Sequence, residues 1–173
     1  MPQTRDSRFE QAVVYILEHD TEGAWGVVIN QLLDMRLNDV FSQLDISALN
    51  CTTPEETVHS GGPVDAQHGI VLHRPNINFE STRHFDGGVS LSSSRDVLEA
   101  LAAGEEPEER LVLLGHAGWG PGQLEEEITN NAWLTCEADA NIIFNKPVDQ
   151  MRAAVGGLLG VDLNLVVSQS GHA

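Results

Sequence analysis

The residues best placed for chemistry lie in one stretch, Leu111 to Leu134, which reads LVLLGHAGWGPGQLEEEITNNAWL. His116 ends an apolar run beside glycine, where an imidazole held at a cleft can serve as acid, base or ligand. A structural role, with the ring bonded to a main-chain carbonyl, is equally open to it. Trp119 and Trp133 can line a pocket, although aromatic side chains at strand and helix ends usually fill core. Four glycines between residues 115 and 122 admit unusual backbone angles or the close approach of another segment. A helix opening near Gly122 presents free N–H groups to an anion, but Glu125, Glu126 and Glu127 complement the same dipole and compete with it. These three carboxylates are read as a solvated acidic face rather than a catalytic cluster. Gly61, Gly62 and Pro63 make a second strong turn. The candidate ligand-binding set is therefore Gly61, Gly62, Pro63, His116, Trp119 and Gly120.

Other chemistries are set aside on spacing. The only lysine, Lys146, stands in Asn145-Lys146-Pro147, so no phosphate loop ends in Gly-Lys-Ser/Thr. Gly118, Gly120 and Gly122 do not follow the dinucleotide-binding pattern. Ser90, in GVSLS, lacks the closing glycine of a nucleophile elbow. The seven histidines invite a metal reading, yet no His-Glu-x-x-His exists, and His68 and His73 would face opposite sides of a strand. No catalytic residue, metal or cofactor is assigned. Cys51 and Cys136 match no zinc or redox spacing and suit reduced thiols.

Length and charge bound the rest. At 173 residues the chain fits one domain with a substantial core, spanning residues 1–173. Its 26 acidic and 9 basic residues give a formal charge of −17. That field repels phosphate backbones and anionic membranes, which argues against direct nucleic-acid binding and against membrane docking. No apolar run has the length of a spanning helix, and Met1 is followed by polar residues, so a cytoplasmic protein is expected.

The elements that must position the candidate residues read as follows. Strands are expected over residues 12–17 and 24–30, joined as a hairpin through DTEG, with Gly26 marking a bulge or a close backbone contact. Leu37, Val40, Phe41 and Leu44 fall on one helical face, with Asp34 as the cap. Residues 45–60 read as a surface loop, and strands follow at 69–73 and 88–91. Val97, Leu98 and Leu101 form the buried stripe of a helix that Ser93 and Asp96 would cap and Gly104 would end. A strand at 111–115, a sharp glycine turn and a helix from Gln123 make the central unit. Residues 140–144 read as a strand, Pro147 as the first residue of a helix carried by Val148, Met151, Val155 and Leu158, and 163–167 as the last strand.

The phrases VVYILEHDTEGAWGVVIN, SGGPV, LSSSRDVLEAL, LGHAGWGPGQLEEEITNNAWL, the Ile-Ile-Phe-x-x-Pro of residues 142–147 and the closing LLGVD and Gly171-His172-Ala173 resemble the AlgH/YqgE family of bacterial proteins, in order and over nearly the whole chain. The resemblance implies a compact α+β fold in which a small, barrel-like, bifurcated sheet is surrounded by helices. It implies no catalytic activity and supplies no catalytic residues. The family's label of transcriptional regulator has no DNA-binding motif behind it. A non-enzymatic regulator working through a protein partner or a small ligand, as a monomer or weak homo-oligomer, is the leading expectation. The alternative is a ligand-binding protein or unusual enzyme with a pocket around His116. Relatives usually carry further residues, including an apolar strand, before the position of Met1, so an exposed sheet edge is also expected.

Overall fold

The computed structural model describes residues 7–105 and 107–163. Its sheet is built on β8 (Arg110–Trp119), the strand made by the apolar run and the first glycines after it. Along one edge β8 pairs antiparallel with β5 (Val64–His73). Its other edge is divided between two strands. β4 (Thr57–Ser60) runs parallel to residues 113–114, and β2 (Gly23–Val28) runs antiparallel to residues 117–119. The sheet forks between those contacts.

The remaining strands extend the two branches. β1 (Val14–Asp20) pairs with β2, β3 (Leu32–Arg36) with β4, β7 (Val89–Ser92) with β5, and β6 (Arg83–Phe85) with β7. The path β1-β2-β8-β5-β7-β6 curls into a nearly closed barrel. Its seam is bridged by side chains: Arg83 of β6 pairs with Glu18 of β1, and the Tyr15 hydroxyl donates to the Asp86 carbonyl at 3.3 Å.

Five α-helices among the described residues cover the sheet. α1 (Leu37–Gln43) and α2 (Arg95–Ala102) bury Leu37, Val40, Phe41, Val97, Leu98 and Leu101 against Val58, Val71 and Val112. α4 (Ala140–Asn145) and α5 (Val148–Leu159) place Ile142, Ile143 and Met151 against Tyr15, Val27, Leu72 and Leu113 on the opposite face. Each fully buried side chain of this size contributes about 1.5–3 kcal/mol of transfer free energy. α3 (Gln123–Thr129) lies over a smaller cluster of Ala24, Ala117, Trp119 and Leu124.

The fork depends on glycine. A Cβ on Gly61 would lie 2.1 Å from the Gly115 carbonyl oxygen, and one on Gly62 only 2.3 Å from the carbonyl of His116. Gly115 itself has φ +79°, which steps the strand's alternation by one residue. Before it, Leu113 and Val112 face the two main cores; after it, the odd residues Ala117 and Trp119 face the third cluster. Opposite this kink β5 bulges, so that Val64 pairs with His116 but Gly69 with Leu114.

Several expectations change. Residues 140–144 form α4 rather than a strand. A short apolar run does not distinguish the two, and Asp139 decides it by capping the Asn141 N–H at 2.8 Å. Pro147 stands one residue before α5, not at its first position. Asp34 lies within β3; Arg36 is the N-cap of α1, and Asp39 reaches back to its N–H at 2.8 Å. Leu44 falls just beyond α1 and is 40% exposed. Ser94, not Ser93, stands at the N-cap position of α2, and its side chain bonds the Asp96 carboxylate rather than a main-chain N–H. The loop over 45–60 gives up its end to β4, β5 starts at Val64, and β8 continues through the expected glycine turn to Trp119. β3 and β6 have no counterpart in the sequence reading. The hairpin of β1 and β2 is as expected, and a Cβ on Gly26 would meet the Tyr15 carbonyl at 2.4 Å, where the ladder shifts register. Apart from Leu163, the strand expected over 163–167 lies outside the described residues. No helix among them is long and apolar enough to cross a membrane.

Gly61→Ala forces two backbones apart and should destabilise the fold by about 3 kcal/mol or more in urea unfolding. Gly118→Ala, where an added Cβ meets nothing within 4 Å, should change stability by no more than about 1 kcal/mol.

Candidate functional site

The fork brings Gly61, Gly62 and the main chain of His116 together, with Pro63 leading into β5. The His116 ring, half-buried, meets the Trp25 indole edge-on, with centroids 5.7 Å apart and planes at 80°. Trp25 lies opposite Gly118 in the ladder, so His116, Gly118 and Trp25 share one face. The indole Nε1 donates to Glu18 at 2.6 Å, and the Arg83 guanidinium sits 5.9 Å from the Trp25 ring and 5.3 Å from that of Phe85. The hydrogen bond from Trp25 is the main cause that holds the Glu18 carboxyl below the usual carboxylate range; burial opposes it, and the bond and charge of Arg83 add to the lowering. An indole, an imidazole, a guanidinium and a carboxylate thus form one open surface. Two clefts, of about 400 Å³ beside α2 and about 670 Å³ between β3 and α5, contain none of the candidate residues.

Trp119 and Gly120 lie apart from this face. Trp119 is 7% exposed and packs against Phe9 and Trp133, with ring centroids at 6.4 and 6.0 Å. Its Nε1 donates to Glu127 Oε2 at 2.9 Å, and Trp133 Nε1 donates to the same oxygen at 2.8 Å. Gln123 completes the arrangement, donating to Glu127 Oε1 at 3.0 Å and accepting from the Gly120 N–H at 3.0 Å. The solvated acidic face therefore needs correction at Glu127, a half-buried carboxylate that fastens two indoles. Burial pushes its pKa up, and the hydrogen bonds from Trp133, Gln123 and Trp119 outweigh that push and leave it lowered. Glu125 bonds His19 at 2.6 Å, tying α3 to β1, and Glu126 is exposed.

Buried polar side chains collect elsewhere. His59, His73, Ser90 and Ser92 are all buried, three of them in the adjacent strands β5 and β7. His68 is exposed and His73 buried, not through alternation but because β5 as a whole runs from an exposed first half to a buried second half, with a bulge between Val64 and Gly69. Neither ring nitrogen of His59 has a hydrogen-bond partner. Burial lowers its pKa, opposed by the nearby main chain of Val112, which does not reach bonding geometry. Among the described residues no three His, Cys, Asp or Glu side chains converge to hold a metal ion. Spacing alone could not have found Trp25, Glu18 and Arg83 beside His116, because three different strands deliver them. A detectable signal did exist for Ser92: a serine that closes a strand two residues before a helix cap.

The profile of the AlgH-like family matches residues 1–164. The chain is 44% identical over 173 residues to a UPF0301 protein of Hahella chejuensis, covering all of this chain and 92% of that one. It is 46% identical, with the same coverage, to a UPF0301 protein of Thioalkalivibrio sulfidiphilus. The solution structure of the AlgH protein from Pseudomonas aeruginosa superposes with a TM-score of 0.81 at 43% identity, over all of this chain and 92% of the other. Protein DIP2367 from Corynebacterium diphtheriae, 19% identical with a TM-score of 0.65 over 89% of this chain and 80% of the other, shares the fold.

Glu127→Ala should leave the Trp119 and Trp133 donors without their acceptor and cost roughly 1–3 kcal/mol for each donor that stays buried, read as a lower urea midpoint. His59, held neutral by burial, binds protons less readily folded than unfolded. Stability should therefore fall as pH drops below about 6.5, until His59 protonates in the folded state. His73, lowered first by burial and also by His84, acts with the same sign. His59→Leu should reduce the loss between about pH 7.5 and 5.5 without abolishing it; an unchanged loss would exclude His59 as a source.

Proposed function

The chain belongs to the AlgH-like family, and from that premise we propose that it acts by binding. It is a cytoplasmic regulator that meets a protein partner at the surface around Trp25 and His116, without direct contact with duplex DNA. The open face of Trp25, His116 and Arg83 carries this reading. Tryptophan and arginine are the side chains that most often anchor protein interfaces, and this pair stands at the surface rather than in a closed pocket. A formal charge of −17 favours a partner with a basic surface and opposes a phosphate backbone. Any effect on transcription then passes through that partner. The second reading is a small planar ligand lying along Trp25, with His116 and the turn of Gly61, Gly62 and Pro63 as its edge. It is favoured by the open space above Gly118, directly opposite the indole.

Affinity capture with the wild-type chain and with Trp25→Ala and His116→Ala tests the proposal. A partner should be retained at low salt, released at about 0.5 M salt and lost in both variants while their unfolding midpoints stay near wild type. Duplex DNA should give no mobility shift at low micromolar protein, and a shift would overturn the reading. Retention of the partner by both variants would move the interface off this face.

A further inference from the structure

β7 ends at Ser92, residues 93–94 turn, and α2 begins at Arg95. This is a strand, a tight turn and a helix with serine at the corner. The Ser92 hydroxyl lies 2.7 Å from His73 Nε2, and His73 Nδ1 lies 2.7 Å from the Arg74 carbonyl oxygen. A carbonyl only accepts, so Nδ1 carries the proton and Nε2 is the acceptor. Ser92 therefore donates to the imidazole. Thr82 Oγ1, 2.7 Å from Ser92 Oγ, must donate in its turn, and it accepts the Phe79 N–H at 2.6 Å. With the imidazole neutral, as burial favours, the direction of every bond in this chain is set.

A second convergence adjoins the first. The main-chain N–H groups of Ser93 and Ser94 both point at one atom, Ser81 Oγ, each at 2.8 Å. The N–H of the residue after a serine nucleophile commonly forms half of an oxyanion hole. Here two such donors hold a neutral hydroxyl. Segment 79–82 closes over the whole arrangement. Its Phe79 ring stands edge-on to His73 at 5.7 Å and packs on the core of α1 and α2, and its Glu80 N–H bonds Asp96 at 2.8 Å. His73 and Ser92 are 0% exposed beneath it. Nearby, His84 Nδ1 lies 2.7 Å from Ser90 Oγ.

We propose that Ser92 and His73 form a covered acyl-transfer site, and that segment 79–82 occupies it as an internal ligand. Ser81 Oγ stands where a substrate carbonyl oxygen would sit, Thr82 lies against the nucleophile, and Phe79 fills the place of the acyl group. The substrate class is an ester or thioester of a compact apolar acid. When the segment is displaced, Ser92 Oγ attacks the carbonyl carbon and its proton passes to His73 Nε2. The Ser93 and Ser94 N–H groups hold the tetrahedral oxygen. Collapse breaks the bond to the leaving alcohol or thiol, which takes the proton from His73 and leaves the acyl group on Ser92. Water, losing a proton to His73, then attacks the acyl carbonyl; the acid departs and the proton returns to Ser92. This site is separate from the Trp25 surface, and neither depends on the other.

A fluorophosphonate, which a serine oxygen attacks at phosphorus with loss of fluoride, is the probe. Wild type should label slowly, and the double variant S81A/T82V, freed of the hydroxyls that seat the segment, about tenfold faster or more. Peptide mass spectrometry should place the adduct on Ser92. Ser92→Ala should take none, and His73→Gln in the S81A/T82V background should label at least about 100-fold more slowly. Should the double variant fail to fold, Ser81→Gly and Thr82→Ala serve singly. Absence of a Ser92 adduct in every loosened variant whose far-UV dichroism and amide spectrum are native-like overturns the proposal, as does an adduct found only at another serine.

Discussion

The close approach of Gly61 and Gly62 to the main chain at Gly115 and His116 is the constraint on which this molecule depends. Two strands can share one edge of β8 only if the first departs and the second arrives within a few residues. At the crossing there is no room for a side chain. The Gly61 N–H bonds the Leu114 carbonyl and its own carbonyl accepts the Val28 N–H, both at 2.8 Å, so this residue joins three strands. The left-handed turn at Gly115 then rotates the second half of β8 by one position. One strand thereby serves two cores in its first half and a third in its second.

From that rotation follows the placement of His116 and Trp119. His116 comes round to the side of Trp25, while Trp119 turns to Phe9, Trp133 and α3. The residues of a single short stretch are thus divided between an open face and a core. Carboxylates complete both sides: Glu18 orders Trp25 and Arg83, and Glu127 orders Trp119 and Trp133. A chain with so much negative charge uses part of it as internal acceptors for indole N–H groups, where charge-assisted bonds are stronger than neutral ones.

The α+β class, the hairpin of β1 and β2, the buried stripes of α1 and α2 and the importance of Gly61, Gly62 and Gly115 were legible because each rests on local pattern or on a glycine with no substitute. Residues 140–144 were misread because five apolar-rich residues fit either period, and the deciding Asp139 cap is a single side chain. β3 and β6 are edge strands of five and three residues, too short for alternation to register. The surroundings of His116 were invisible for a different reason. Glu18, Trp25 and Arg83 precede it by 98, 91 and 33 residues, and only the closing of the barrel brings them together. Ser92 carries no nucleophile-elbow signature in the sequence, because that pattern sets glycines on both sides of the serine, whereas here the corner is turned by Ser93 and Ser94.

The fork also orders events at the ribosome. β2, β4 and β5 all wait for β8, which follows them in the chain, and none of the three pairs with another. Until Trp119 emerges, the strands among the described residues are the hairpin of β1 and β2, the pair β3 and β4, and the three-stranded piece β5-β7-β6, each with an open edge. At about 5–20 residues per second, the interval from the end of β4 to the end of β8 lasts roughly 3 to 12 seconds. During that time the chain's negative charge opposes the pairing of those edges between copies. A strongly acidic composition thus guards translation as well as the finished fold.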